Sequence, residues 1–264
     1  LLNFYALAPF FNAYLRCLGV GKIVTSDWTS EKLWHDGNKW GSIDPCFPAK
    51  VAPAHIHNLF KQKDLTSIFF PIMTYLPTMA DKTLANAACV IQMGTPEVVE
   101  AAFTRHRDEF DLAGVEFWKP AVRMDRPRET AGSLFEYFGE KLEITEHENA
   151  WAVTQGFAAL ERYLERLRSK GRDVLDFLVA NDRIGILMLG HPYHHDPGLN
   201  HGILEEFQMR GFPVLCIESI PPDDELMGAL FGELPEHSKE NKWFAIKDVW
   251  WRCFNRNTNH KIWA

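Results

Sequence analysis

The sequence predicts an α/β protein in which two parallel-sheet halves are joined by a helical bridge. Three observations carry this. Over the first 120 residues, short apolar runs that read as strands alternate with helical stretches. A compact strand–helix–strand unit returns near residues 183–220. Between them, residues 121–182 are charged and helical in period, with no run that reads as a strand. Strands alternating with helices favour a parallel sheet covered on both faces. The expected organisation is an N-terminal α/β domain over 1–120, a bridge over 121–182 and a C-terminal α/β domain, read as truncated, over 183–264.

Taken in order, residues 10–18 carry apolar side chains at helical spacing, and "GVGK" stops them. "KIVTSD" (22–27) reads as a strand. "TSEKLWHDG" reads as a short helix with Thr29 as N-cap and Gly37 as stop. After "DPCFPAKVAPAHIHNL", the runs "SIFFPIM" (67–73), "ACVIQMG" (88–94) and "GVEFWKP" (114–120) read as strands. "TPEVVEAAFTRHRDEF" (95–110) reads as a helix, with Thr95 as N-cap and Pro96 in the first helical position. The stretch "TEHENAWAVTQGFAALERYLERLRSKGRDVLDFLVAN" is one long helix or a pair. In the last part, "RIGILMLG" and "FPVLCIESI" are strands flanking the helix "LNHGILEEFQMRG", with a right-handed crossover expected. "WFAIKDVWWRCFNRNTNHKIW" looks like an aromatic-rich helix.

Composition narrows the function classes. Apolar residues make up 46% and charged residues 24% of the 264, ordinary for a globular protein. A net charge of −7 without a long basic run argues against nonspecific binding to nucleic acid or anionic membrane. No apolar run approaches the roughly 18 residues of a transmembrane helix, and no signal-peptide pattern is visible. Five scattered cysteines do not make a disulfide framework and suit a reducing cytoplasm. The opening "LLNFYALAPFF", without Met, and the closing "NTNHKIWA" read as the ends of a fragment of a longer polypeptide. No G-x-G-x-x-G after a strand, no Walker loop and no G-x-S-x-G elbow occurs, so the chain by itself does not read as a nicotinamide enzyme, an ATPase or a serine hydrolase.

Two stretches can carry chemistry. In "IDPCFPAKVAPAHIHNLF" Cys46 lies just before a helix whose first turn holds Pro48. Free N–H groups and the dipole at such a helix start favour negative charge, which suits a thiolate nucleophile or metal ligand. A packed cysteine in a turn fits the stretch equally well. Cys89 belongs to the same expected sheet edge, where ligands gather in α/β folds, and the two thiols can meet there. Two thiolates do not complete a four-ligand site. Lys50, in the first turn, opposes the helix dipole and hints at a local anion. His55 and His57 are two apart, so they face different ways.

The second stretch is "GHPYHHDPGLNHG". His191, Tyr193, His194, His195, Asp196, Asn200 and His201 crowd a loop between a strand and a helix. Imidazoles and a carboxylate at this density can bind a metal, pass protons or hold an anion. A loop fixed by its own hydrogen bonds is the plainer alternative. Pro192 and Pro197 exclude the zincin arrangement of two histidines one turn apart on a helix. Cys17 and Cys216 read as core residues, and Asp27 as a strand-end ligand or a helix cap.

The stretches "DPCFPAKVAPAHIHNL", "IFFPIMTYLPT", "NAACVIQMGTPEV" and "ILMLGHPYHHDPGLNHGILEEFQMRGFPVLCIESIP" together resemble the activase-related proteins of the 2-hydroxyacyl-CoA dehydratase system. The similarity is to the region after the ATP-binding modules in large CoA-substrate-specific enzyme activases, and it covers nearly the whole chain. The resemblance implies two Rossmann-like halves, a cytoplasmic setting in anaerobic metabolism, and ATP-driven low-potential electron transfer. It implies a [4Fe–4S] cluster with Cys46 and Cys89 as candidate ligands, the site lined by Lys50, His191, Tyr193, His194, Asp196, Asn200 and His201. It implies ATP-binding activase modules and a dehydratase-type enzyme as partners. A further family cysteine, in a K-C-G-H-D stretch, lies beyond the equivalent of Ala264. Two positions depart from the family: His191 stands where Arg is usual, and Val90 where Pro usually follows the second cysteine. The competing expectation is a cofactor-free scaffold that joins an ATPase module to its partner. A dehydratase-type enzyme acting on an acyl-CoA is a third.

Overall fold

The computed structural model describes residues 2–41, 46–78, 86–221 and 223. It is a mixed α/β fold with small parallel sheets. Contacts divide the described residues into two units. One gathers 2–41, 46–76, 88–160 and 191–202; the other gathers 77–78, 86–87, 161–190, 203–221 and 223.

The first unit begins with α1 (Phe4–Cys17) and α2 (Glu31–Gly37), followed by α3 (Phe47–Leu59). The run "SIFFPIM" forms β1 (Ser67–Phe69) and the start of β2 (Ile72–Tyr75). Then come α4 (Val90–Thr104), α5 (Glu109–Ala113), β3 (Glu116–Trp118), β4 (Ala121–Arg123) and α6 (Pro127–Phe138). The pairing is parallel: Ile68 of β1 stands opposite Phe117 of β3, and Met73 of β2 opposite Val122 of β4. Both strand pairs break at a proline, Pro71 and Pro120, because proline has no N–H for the ladder. Phe70 N–H donates to the Trp118 carbonyl (2.7 Å) and Ile72 N–H to the Pro120 carbonyl (2.9 Å), which carries the pairing across the break.

The core follows from the apolar faces of these helices. Ala52 and Ile56 of α3, Val99 and Phe103 of α4, Ile68, Phe110 and Val115 form one buried cluster. Trp40 stacks on Phe103 at 4.5 Å. On α1, Phe10 and Tyr14 are fully buried, and the Tyr14 hydroxyl is satisfied by Asn149 Oδ1 at 2.8 Å. A buried phenol needs such a partner.

Four expectations change. Residues 22–27 form no strand; their polar groups turn to α3 instead, through Ser26 with His55 and Asp27 with Asn58. Residues 88–94 are not a strand either, since α4 already starts at Val90 and holds Pro96 in its interior. Pro96 lacks the N–H that would reach the Gln92 carbonyl, while the Thr95 hydroxyl donates to the Ile91 carbonyl at 2.6 Å. The cap of α2 is Ser30, whose hydroxyl accepts from Leu33 N–H, one residue later than expected. The helical stretch after residue 120 begins with a strand, β4.

In the second unit, β5 (Ile186–Met188) pairs parallel with β6 (Val214–Cys216), and α8 (Ile203–Met209) lies between them in sequence. The long stretch before β5 is a single helix, α7 (Glu146–Ala180), whose residues are shared between the units. A Cβ on Gly171 would fall 1.7 Å from the Ser219 carbonyl oxygen, so only glycine lets these two backbones approach. Among the described residues, no helix is long and apolar enough to cross a membrane. The aromatic-rich stretch after residue 240 lies outside the described residues.

Candidate functional site

The two singled-out cysteines hold equivalent places. Cys46 is the N-cap of α3, with extended backbone (φ −127°, ψ 146°) and Pro48 in the first turn. Cys89 is the N-cap of α4, also extended (φ −62°, ψ 132°). Neither side chain makes a capping hydrogen bond, so neither sulfur is spent on its own helix. Both are free thiols of intermediate burial. The first N–H groups and positive dipole end of a helix stand at each of them.

Val90 accordingly occupies the first helical position, where an N–H has no intrahelical partner and proline is favoured. Its side chain is 74% exposed, and the backbone of Cys89 already suits a residue preceding proline. The departure from the resembled pattern at this position therefore leaves the cysteine's backbone unchanged. Val90→Pro is expected to shift stability by less than about 1 kcal/mol, read from a urea midpoint. A larger loss would show that the helix start needs the Val90 N–H.

The histidine-rich stretch is arranged around Tyr193 and Asp196. Residues Pro192–His195 make one turn of 3-10 helix. Tyr193 packs into a buried apolar cluster of Leu33, Val51, Ala54 and Leu199, and His191 stacks on its ring at 5.0 Å and 5°. Burial, first, and then electrostatic interaction with Cys46 and Cys89 push the Tyr193 hydroxyl up to about 12. Cys46, Cys89 and Tyr193 thus share one electrostatic neighbourhood. His201, in left-handed backbone (φ 57°), stacks on Phe47, the residue after Cys46, at 6.3 Å. Lys50, half-buried, lies one turn into α3, its N–H bonded to the Cys46 carbonyl.

Asp196 is 1% exposed and spends both oxygens on donors. Oδ1 accepts from Gly198 N–H (2.9 Å) and Leu199 N–H (3.2 Å); Oδ2 accepts from the Tyr5 hydroxyl (3.0 Å) and Thr29 N–H (3.3 Å). Asn200 ties the same loop, donating to the His194 carbonyl and accepting from Gly202 N–H. His194 Nδ1 accepts from His191 N–H at 2.9 Å. These bonds hold Tyr193 in place from below. A Cβ on Gly198 would lie 2.2 Å from the Thr29 carbonyl oxygen, which is backbone and cannot swing away. Gly198→Ala is expected to cost about 1–3 kcal/mol through overpacking, seen as a lowered melting temperature. An unchanged melting temperature would mean that the loop does not need this approach.

Sequence reasoning missed the polar group beneath the loop. His55 is 6% exposed, with Nδ1 2.7 Å from Ser26 Oγ and Nε2 3.0 Å from Thr29 Oγ1. Burial lowers its pKa from 6.5 to about 4, against the pull of Asp196 and Asp27. Asp27 and Asn58 exchange two hydrogen bonds, Asp27 N–H to Asn58 Oδ1 (3.0 Å) and Asn58 Nδ2 to Asp27 Oδ2 (2.9 Å). Asp27 is therefore neither a helix cap nor the end of a strand. The only sequence signal for this group was His55 on the apolar face of its helix. His57, two residues on, is half-buried, and burial lowers its pKa as well.

Cys46 and Cys89 are thus two thiols at helix starts whose sulfurs make no capping bond. Among the other described cysteines, Cys17 closes α1 and Cys216 lies on β6 in the second unit. Burial raises the Cys216 thiol, and Glu218 adds to this. Neither curated proteins nor solved structures yield a match to the chain. The family model described as the CoA enzyme activase uncharacterised domain (DUF2229) matches residues 1–220. The chain belongs to this CoA enzyme activase family.

Proposed function

We propose that this chain is the iron–sulfur-cluster-associated module of an ATP-dependent activase-like protein, taking part in low-potential electron transfer to a 2-hydroxyacyl-CoA dehydratase-type partner. The observation that carries the reading is the twin placement of Cys46 and Cys89. Each caps a helix of more than three turns, neither sulfur is spent on a capping bond, and both raise the pKa of the same half-buried phenol, Tyr193. Membership of the activase family supports the partner class: ATP-binding modules on one side and a dehydratase-type enzyme on the other. The strand pairs of the two units are, in this reading, the remnants of two Rossmann-like sheets.

Cys46 and Cys89 would hold a [4Fe–4S] cluster, with further ligands from outside the described residues. The cluster, when bound, supplies one-electron transfer at low potential. The chain's own residues supply the rest. The starts of α3 and α4 aim their first N–H groups and positive dipole ends at the place where the cluster's negative charge would lie. Lys50 places a positive charge in the first turn of α3, where a net negative group is held. Tyr193, protonated up to about pH 12, would offer its hydroxyl as a donor, and His191 stacks on its ring face. Such donors around a metal group orient its ligands and tune it. The Asp196 and Asn200 bonds keep the loop that delivers Tyr193 from moving.

Reconstitution with iron and sulfide in the absence of oxygen tests the reading. A brown protein that dithionite bleaches, and that gives an electron paramagnetic resonance signal once reduced, is expected. A protein that stays colourless and silent would overturn it.

A further inference from the structure

The first unit holds a cavity of about 700 Å³ that none of Cys46, Cys89 and Tyr193 lines. This is within the usual size of small-molecule sites, roughly 300–1,000 Å³. Its apolar wall comes from α1, α3 and the strands, with Phe11, Ile56, Phe69 and Met73 among the lining residues. Several of its polar lining groups are hydrogen-bonded within the chain. His55 bonds Ser26 and Thr29, Asp196 is fully occupied by Tyr5, Thr29 and its own loop, and Asp27 is held by Asn58.

Two lining atoms stand apart. Gln92 Oε1 and Asn3 Oδ1 are buried and have no hydrogen-bond partner. Gln92 is only 5% exposed, so its oxygen is shut away from bulk water on a wall otherwise shared with apolar side chains. A buried acceptor left unpaired is costly, and folded proteins rarely keep one without a use. Both are acceptors, so what satisfies them must donate. Three carboxylates (Asp27, Asp64, Asp196) and two ammonium groups (Lys22, Lys63) line the cavity; all but Asp196 are exposed to solvent, and Asp196 has both oxygens hydrogen-bonded, so the interior offers neither a cation nor an anion an unspent charged partner.

We propose that this cavity binds a neutral, largely apolar small molecule through a hydroxyl or amide N–H that donates to Gln92 and Asn3. The site is separate from the cysteine pair, and the proposal does not rest on the cluster reading.

Calorimetric titration of the whole chain with 1-octanol tests it, beside octanoate and octylammonium as anionic and cationic counterparts of the same tail. The alcohol should bind at least about tenfold more tightly than either ion, because the charged heads must be desolvated without a matching partner. Gln92→Leu should weaken 1-octanol about fivefold, the share of one hydrogen bond. The same variant should keep or raise the melting temperature, since it removes an unpaired polar atom from the interior. Asn3→Ala, at a less buried position, should weaken the alcohol in the same direction. No binding of 1-octanol, equal binding of octanoate, or an affinity untouched by both substitutions would overturn the proposal.

Discussion

Cys46→Ala is expected to bring the iron content of protein purified without oxygen down to background, while leaving the fold in place. The two halves of this result have separate causes. Cys46 makes no capping hydrogen bond, so alanine removes no bond from the start of α3. Pro48 and the buried face of the helix, Ala49 and Val51 to Ala54, hold that start on their own. The stability change should be within about 1 kcal/mol, well inside what a thermal melt resolves for a chain of this size. Losing one of the few thiolates of an iron–sulfur site, in contrast, removes a bond that no neighbouring described residue replaces. Cys89→Ala should behave alike, because it occupies the same kind of place on α4. Unchanged iron in either variant would remove that cysteine from the ligand set. A large loss of stability would return it to a packing role.

The second large effect is in acid. His55 has its pKa lowered from 6.5 to about 4, chiefly by burial, so the folded state resists the proton that the unfolded chain accepts. Both ring nitrogens already face hydroxyls, Ser26 and Thr29, and both hydroxyls can accept from a protonated ring. The penalty is therefore the desolvation of the charge and not a lost hydrogen bond. The sign follows from linkage. Above pH 6.5 the ring is neutral in both states and this contribution is complete. As pH falls from 6.5 towards 4 the unfolded state gains a proton first, and stability drops by about 3 kcal/mol over that window. Urea unfolding across this range measures it. His55→Gln should flatten the slope, and an equal slope in that variant would assign the acid sensitivity to other groups.

How much of this was legible in the sequence depends on the range of the interaction. The start of α3 was legible because a cysteine followed by proline in the first turn is a local signal, read within four residues. The start of α4 was not. "ACVIQMG" is apolar enough for a strand, and Pro96 looked like a first helical residue, but α4 accepts that proline in its interior. The consequence is functional: Cys89 sits at a helix start, not at the beginning of a strand. Asp196 was picked out by its crowded loop, yet its partners Tyr5 and Thr29 are 191 and 167 residues away, and no spacing announces them. The pairing of Ser26 and Thr29 with His55 was hidden for the same reason, behind a run that reads as a strand. The α/β class survived these errors because alternation of elements depends on many residues at once.

Iron and acid-labile sulfide, measured on protein purified without oxygen, test the central claim most directly. The measurement should be made on this chain and on its Cys46→Ala and Cys89→Ala variants. The account predicts iron and sulfide in near-equal amounts in the parent chain and background levels in both variants. A parent chain free of both would contradict it and leave a docking domain without a cofactor.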